Sequence, residues 1–223
     1  MENINVDTTV QALPRLGEKA PDFTAVTTHG EIKLSDYEGS WLILFSHPAD
    51  FTPVCTTEFV AFANIHDELA KRNVKLLGLS IDSVFSHIAW VRNIEEKMQV
   101  KVPFPVIADL DMAVAKKYGM IMPGESSTET SRCVFVIDPE GIVRAMIYYP
   151  LSTGRNMDEM IRLIDALPTT DTHKVVTPAN WRPGDKVIVP PPKTHDKANQ
   201  RLGEATDEGY ECVDWYLCKK ELK

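Results

Sequence analysis

Trp41-Leu42-Ile43-Leu44-Phe45-Ser46 runs straight into His47-Pro48-Ala49-Asp50-Phe51-Thr52-Pro53-Val54-Cys55-Thr56-Thr57-Glu58. The first six residues form an unbroken apolar run, the pattern of a strand covered on both faces. Past Pro53 the spacing changes to a helical period, with Phe59, Phe62, Ala63, His66, Leu69 and Ala70 on one stripe. A buried strand followed directly by an amphipathic helix is the opening of an α/β crossover.

Working outward, Lys75 to Ile81 repeats the buried-strand pattern, and Val84 to Met98 reads as an amphipathic helix. A short strand at Pro105–Ala108 and a brief helix from Asp111 to Tyr118 follow. Arg132–Asp138 and Ile142–Tyr149 are β-rich runs joined by Pro139-Glu140-Gly141, a hairpin signal. Met157 to Leu167 has a helical stripe, and Pro168 is expected to end it. Upstream, a β-like stretch after Pro21-Asp22-Phe23 turns at His29-Gly30. Early crossovers with a late hairpin predict an α/β, thioredoxin-like fold: a central mixed sheet flanked by helices.

Residues 1–13 read as a loose N-terminal tail, 14–168 as the folded domain and 169–223 as a C-terminal extension. Thr, Pro, Lys and Asp dominate 169–210, including Pro190-Pro191-Pro192, so an extended appendage with little core of its own is expected there. The 223 residues carry 43% hydrophobic content, a net charge of −8 and a sequence pI of about 5.3. With no basic stripe to neutralise phosphates, nucleic acid is not an expected partner. Residues 1–20 lack an apolar export segment, and no run approaches the ~20 apolar residues needed to span a bilayer. A cytoplasmic protein without membrane association is the expectation.

The four cysteines stand at 55, 133, 212 and 218, with no CxxC pair and no zinc-type spacing, so neither a metal nor another cofactor is expected. Thr52-Pro53 starts a helix, which sets Cys55 in its first turn. Unpaired backbone N–H groups and the positive end of the helix dipole meet the sulfur there, and both favour the thiolate, the nucleophilic form. Position alone leaves two readings open, a reactive cysteine and an inert buried one. Cys133 shares a strand face with Phe135 and Ile137, opposite to Arg132, and reads as a packing residue. His66, on the apolar stripe, reads as a core histidine.

Pro48, Thr52 and Cys55 match the pattern Pro-x3-Thr-x2-Cys, and the match extends through Ser46-His47-Pro48 to Glu58. This segment resembles the active site of the peroxiredoxins, and the resemblance covers roughly residues 15–220. It implies that Cys55 is the peroxidatic cysteine, that the Thr52 hydroxyl orients the peroxide, and that Pro48 shields the sulfur from water. Arg132, opening Arg-Cys-Val-Phe-Val-Ile-Asp, resembles the family's activating arginine, and Arg155 resembles a further supporting one. His47 and Glu58 are expected to hold the arginines or the loop by hydrogen bonds. The implied activity is reduction of hydrogen peroxide and organic hydroperoxides to water and alcohols through a sulfenic acid at Cys55.

Cys212 and Cys218, in Glu-Cys-Val-Asp-Trp-Tyr-Leu-Cys, would stand about 9 Å apart along a straight helix. A disulfide between them requires a turn instead, because bridged Cα atoms lie within ~7 Å. The chain resembles the peroxiredoxin 6-type branch, and within it the archaeal and bacterial members with two extra C-terminal cysteines more than the animal members, which usually act with one cysteine. That resemblance implies that Cys218 of a partner subunit resolves Cys55, that Cys212 exchanges with it, and that thioredoxin or a similar dithiol completes the cycle. It also implies a homodimer assembling to a decamer. Glu38-Gly39-Ser40-Trp41-Leu42 falls where some animal relatives carry a lipase-like Gly-x-Ser-x-Gly; without the flanking glycines no lipase activity is expected. Two rivals remain: a disulfide oxidoreductase, which would need CxxC at the helix start, and a binding protein in which the chemistry is idle.

Overall fold

A computed structural model describes residues 13–204 and 209–222; the tail expected at residues 1–13 lies, but for Leu13, outside them. The chain divides into two compact units, one ending at Arg155 and one beginning at Asn156.

The first unit is built on a seven-stranded sheet. Its strands are β1 (Thr24–Thr27), β2 (Gly30–Lys33), β3 (Trp41–Ser46), β4 (Val74–Ser80), β5 (Val106–Ala108), β6 (Arg132–Ile137) and β7 (Val143–Tyr149), in the order β2-β1-β5-β4-β3-β6-β7. β3, β4 and β5 are parallel neighbours, whereas β6 and β7 run antiparallel, giving the mixed sheet expected. All six residues of β3 and of β6 are buried, because both faces of these central strands are covered.

On one face Leu42, Leu44, Cys133, Phe135 and Ile137 pack with Tyr118 and with Val114 and Ala115 of α3 (Ala113–Lys117). The other face carries α1 (Pro53–Ala70) and α2 (Val84–Met98). There Phe45 stacks on Phe62 at 4.1 Å and meets Phe59 and Phe104 edge-on. Gly78 pairs with Phe45 across β3 and β4, and a Cβ there would sit 3.4 Å from both the Phe45 and Phe59 rings. A mid-strand glycine thus makes room for the aromatic layer under α1.

Register then fixes which side chains share that layer. Phe45 pairs with Val134, so Val134 and Arg132, two residues before it, point toward α1. Cys133 points the other way into the apolar cluster, as alternation predicts. Burial of Cys133 pushes its thiol up to about 12.

The second unit opens with α4 (Met157–His173), capped by the Asn156 side chain, which accepts from the Asp158 N–H. Helix α4 does not stop at Pro168 as the sequence suggested. Proline there removes one helical hydrogen bond, while Thr169 and Thr170 hydroxyls donate to the carbonyls of Asp165 and Leu167. Met160, Ile164 and Ala166 are buried before the proline and anchor the helix. The division into compact units falls just ahead of α4.

The extension also has a core, contrary to the compositional reading. Ala166, Val175, Trp181 and Val187 cluster, with Leu222 against them. A three-stranded antiparallel sheet, in the order β8-β10-β9, is formed by β8 (Val187–Val189), β9 (Glu211–Asp214) and β10 (Leu217–Lys220). α5 (His195–Glu204) lies between β8 and β9 in sequence. The Asp214-to-Leu217 turn sets Cys212 opposite Cys218, with Cα atoms 4.0 Å apart and a disulfide between them. This is the turn that such a bond requires. Among the described residues no helix is long and apolar enough to cross a membrane.

Candidate active site

Cys55 is the third residue of α1 and wholly buried. Thr52 precedes the helix in extended conformation, and Pro53 takes the first helical position, where its missing N–H costs nothing. The Thr52 hydroxyl donates to the Ala49 carbonyl at 2.9 Å. The Thr52 carbonyl in turn accepts from the Thr56 N–H and hydroxyl, at 3.0 and 2.8 Å. Pro48 is buried just beyond the end of β3.

Arg132 reaches this turn from β6. Its Nη1 lies 3.3 Å from the Cys55 sulfur and 2.7 Å from Glu58 Oε2, while Nε and Nη2 both donate to the Leu151 carbonyl. Glu58 follows Cys55 by three residues, so both project from one side of α1. Arg155 completes the set, donating to Glu58 from its backbone N–H, Nε and Nη2, at 2.9, 2.9 and 2.6 Å. Its Nη1 donates to the carbonyls of Ser46 and Cys133, and its guanidinium stacks over Phe45 and Phe62.

These four groups are almost entirely removed from water. Two arginines and one glutamate leave an excess positive charge in a low-dielectric site, and a thiolate at Cys55 cancels it. The 3.3 Å contact sets the sulfur directly against that positive charge. A nucleophile placed so beside a fixed guanidinium can attack an electrophilic oxygen, with the arginine polarising the bond that breaks.

The family model described as AhpC/TSA family matches residues 16–146, and that of the C-terminal domain of 1-Cys peroxiredoxin matches residues 166–205. The chain is a peroxiredoxin. It is 60% identical to a peroxiredoxin of Aquifex aeolicus, over 96% of this chain and 99% of that one. Against a peroxiredoxin of Methanosarcina mazei the identity is 55%, over 94% and 98%. Among solved structures, a yeast mitochondrial 1-Cys peroxiredoxin superimposes with a TM-score of 0.83 at 44% identity, covering 94% of this chain and all 100% of that one. Peroxiredoxin 6 of Arenicola marina gives 0.83 at 38%, over 94% and 98%. The fold is thus thioredoxin-like, and the protein is a thiol peroxidase, an oxidoreductase with redox-active cysteine.

In this peroxiredoxin the sequence-selected residues Cys55, Arg132, Arg155 and Glu58 converge within hydrogen-bonding reach, Glu58 holding both arginines. His47 does not touch the arginines. Its Nε2 lies 2.9 Å from Asp50 Oδ1, inside the loop that leads to Cys55. His66 is not a core histidine: its side chain is 29% exposed, and it pairs with the exposed Asp67 at 3.3 Å, at the rim of the helix stripe.

The buried histidine that sequence reading missed is His87 on α2. Its Nδ1 lies 2.8 Å from Asp50 Oδ2, and its Nε2 lies 3.0 Å from the Ile107 carbonyl. His47, Asp50 and His87 are the one described group with metal-like donor spacing, all within 4.8 Å, and mutual hydrogen bonds account for the donors that face each other. Burial works to raise the Asp50 carboxyl, but the bonds from His47 and His87 prevail and hold it well below the usual carboxylate range. Burial pushes His47 down, against the pull of Asp50.

Proposed function

We propose that Cys55 is the peroxidatic cysteine of this enzyme, acting on hydrogen peroxide and organic hydroperoxides. The observation that carries this is the Arg132 guanidinium 3.3 Å from a sulfur in the first turn of α1. The thiolate attacks one peroxide oxygen, the O–O bond breaks, and the departing hydroxide or alkoxide takes a proton to become water or alcohol. Cys55 is left as a sulfenic acid. In this reading Thr52 orients the peroxide, Pro48 limits water access, and Arg155 acts through Glu58 to hold Arg132. The chemistry belongs to the unit that ends at Arg155, and the unit that follows supplies the thiol relay.

Cys218 of a partner subunit then condenses with the sulfenic acid, releasing water and forming a disulfide. Cys212, directly opposite Cys218 in the hairpin, takes over that bond and frees Cys55. A thioredoxin-like dithiol reduces the hairpin disulfide, in a cytoplasmic homodimer that assembles further into a decamer. A free Cys55 together with a Cys212–Cys218 disulfide in the same chain is the state expected after resolution and before re-reduction.

A second reading has its own support. The similar yeast enzyme is described as a 1-Cys peroxiredoxin resolved via glutathione/thioredoxin systems, and Cys218 here is wholly buried. An external thiol would then resolve Cys55 directly. The experiment is peroxide consumption with dithiothreitol, together with non-reducing gels after peroxide treatment. Cys55→Ser should be inactive, and Cys218→Ser should lose a covalent dimer that the wild type forms. Full turnover by Cys55→Ser refutes the site; a Cys212→Ser protein that forms no covalent dimer after peroxide favours the one-cysteine route.

A further inference from the structure

Helix α2 meets the Cys55 loop at two points. His87 faces Asp50, and Trp90, one turn later, donates from Nε1 to the Thr56 hydroxyl at 3.3 Å. Both side chains are buried, and the residues they grip lie on either side of Cys55 in sequence. Asp82, just before α2, adds a third tie by accepting from the Asp50 backbone N–H.

The donors and acceptors determine where the proton sits. His87 has an ionised carboxylate at Nδ1 and a backbone carbonyl at Nε2, both pure acceptors. Only the doubly protonated ring satisfies both contacts. His47 differs: its Nε2 donates to Asp50, while its Nδ1 is buried with no partner. A second proton on His47 would be an unsatisfied buried donor, packed among Phe59 and Trp90 with ring centroids 4.8 and 5.1 Å away.

We propose that His87 is a positioning residue for Cys55: a buried imidazolium that neutralises Asp50, keeps His47 in its neutral Nε2–H form, and pins the cysteine's loop to helix α2. The inference rests on Cys55 being the residue that reacts with peroxide. Asp50 needs one positive partner. With the charge on His87, both N–H groups are used and the aromatic pocket around His47 stays uncharged. Were the charge on His47, one N–H would have no acceptor and the Ile107 carbonyl would lose its donor.

The test is the 15N spectrum of histidine-labelled protein at neutral pH, with peroxide kinetics on the same samples. In the wild type, His87 should show two protonated nitrogens and His47 only one. In His87→Gln the amide can still donate to Asp50 but carries no charge, so His47 should gain a second proton. Sulfenic acid formation in that variant should slow about tenfold, since losing one charge-assisted contact of roughly 1.5 kcal/mol weakens the hold on the loop by that factor. A wild-type His87 with a single protonated nitrogen overturns the proposal, whether or not the variant folds. So does a His47 signal unchanged in His87→Gln, which a merely space-filling role would give. Cys55→Ser separates the two readings: turnover there removes the role of Cys55, while the histidine spectra judge the charge assignment by themselves.

Discussion

Replacing Glu58 by Gln tests the buried charge cluster most directly. The carboxylate accepts four hydrogen bonds, one from Arg132 and three from Arg155. With the amide oxygen at the Oε1 position, the bonds from the Arg155 backbone N–H and Nε survive. The amide nitrogen then faces Arg132 Nη1 and Arg155 Nη2, at 2.7 and 2.6 Å, donor against donor. Two charge-assisted bonds at about 1.5–3 kcal/mol each give a loss near 3–6 kcal/mol, in line with the 3–5 kcal/mol for breaking a buried ion pair. Arg132 keeps its two bonds to the Leu151 carbonyl, so the guanidinium shifts but does not leave. Urea unfolding should show a midpoint lowered by that loss divided by the slope, with the slope itself unchanged. Stopped-flow oxidation of Cys55 should slow by about tenfold or more, because the guanidinium is no longer held at the sulfur. A stability loss below about 1 kcal/mol with an unchanged oxidation rate would refute the cluster as the device that positions Arg132.

Cys133 has a thiol raised to about 12 by burial, from an ordinary 9.0. Its protonated form therefore supports the fold fully below about pH 9, and that support fades as pH climbs toward 12. Between pH 8 and 10.5 the wild type should lose roughly 2 kcal/mol more stability than Cys133→Ala, and parallel pH curves would contradict the assignment. Because Cys212 sits opposite Cys218, it should capture the intersubunit disulfide soon after it forms. Cys212→Ser should then accumulate more covalent dimer on non-reducing gels than the wild type; equal amounts would mean that Cys212 takes no part in the relay.

The central sheet and the reactive turn were legible because their signals are local. Six apolar residues mark β3, and Thr52-Pro53 marks where α1 begins, so Cys55 is placed before any contact is known. Even the facing of Arg132 followed, since strand alternation separates it from Cys133. What stayed hidden depends on register between distant segments. His87 binds Asp50 across 37 residues, and that distance leaves no trace in periodicity. His66 misled for a related reason: the stripe gives the direction of a side chain on α1, not how far the covering sheet extends. Pro168 is the reverse case, a strong local stop overridden by buried neighbours on the same helix.

The same cluster gives a reason for the turn to open at the right moment. In the proposed reading, two guanidinium cations face the Glu58 carboxylate and a Cys55 thiolate before oxidation, and the charges cancel. Conversion to sulfenic acid removes the sulfur's charge while both arginines and Glu58 remain. One buried positive charge is then uncompensated, and the attraction between Arg132 and the sulfur falls. A buried charge without a partner costs several kcal/mol, enough to shift a first helical turn held by a few hydrogen bonds toward unwinding. Cys55 is wholly buried, so no incoming thiol reaches it unless that turn opens. Amide exchange at residues 52–58 should therefore be faster in the sulfenic acid form than in the thiolate form, compared in a Cys212→Ser/Cys218→Ser background. Equal protection in the two forms would sever charge loss from opening, and the trigger would have to lie with the approaching thiol.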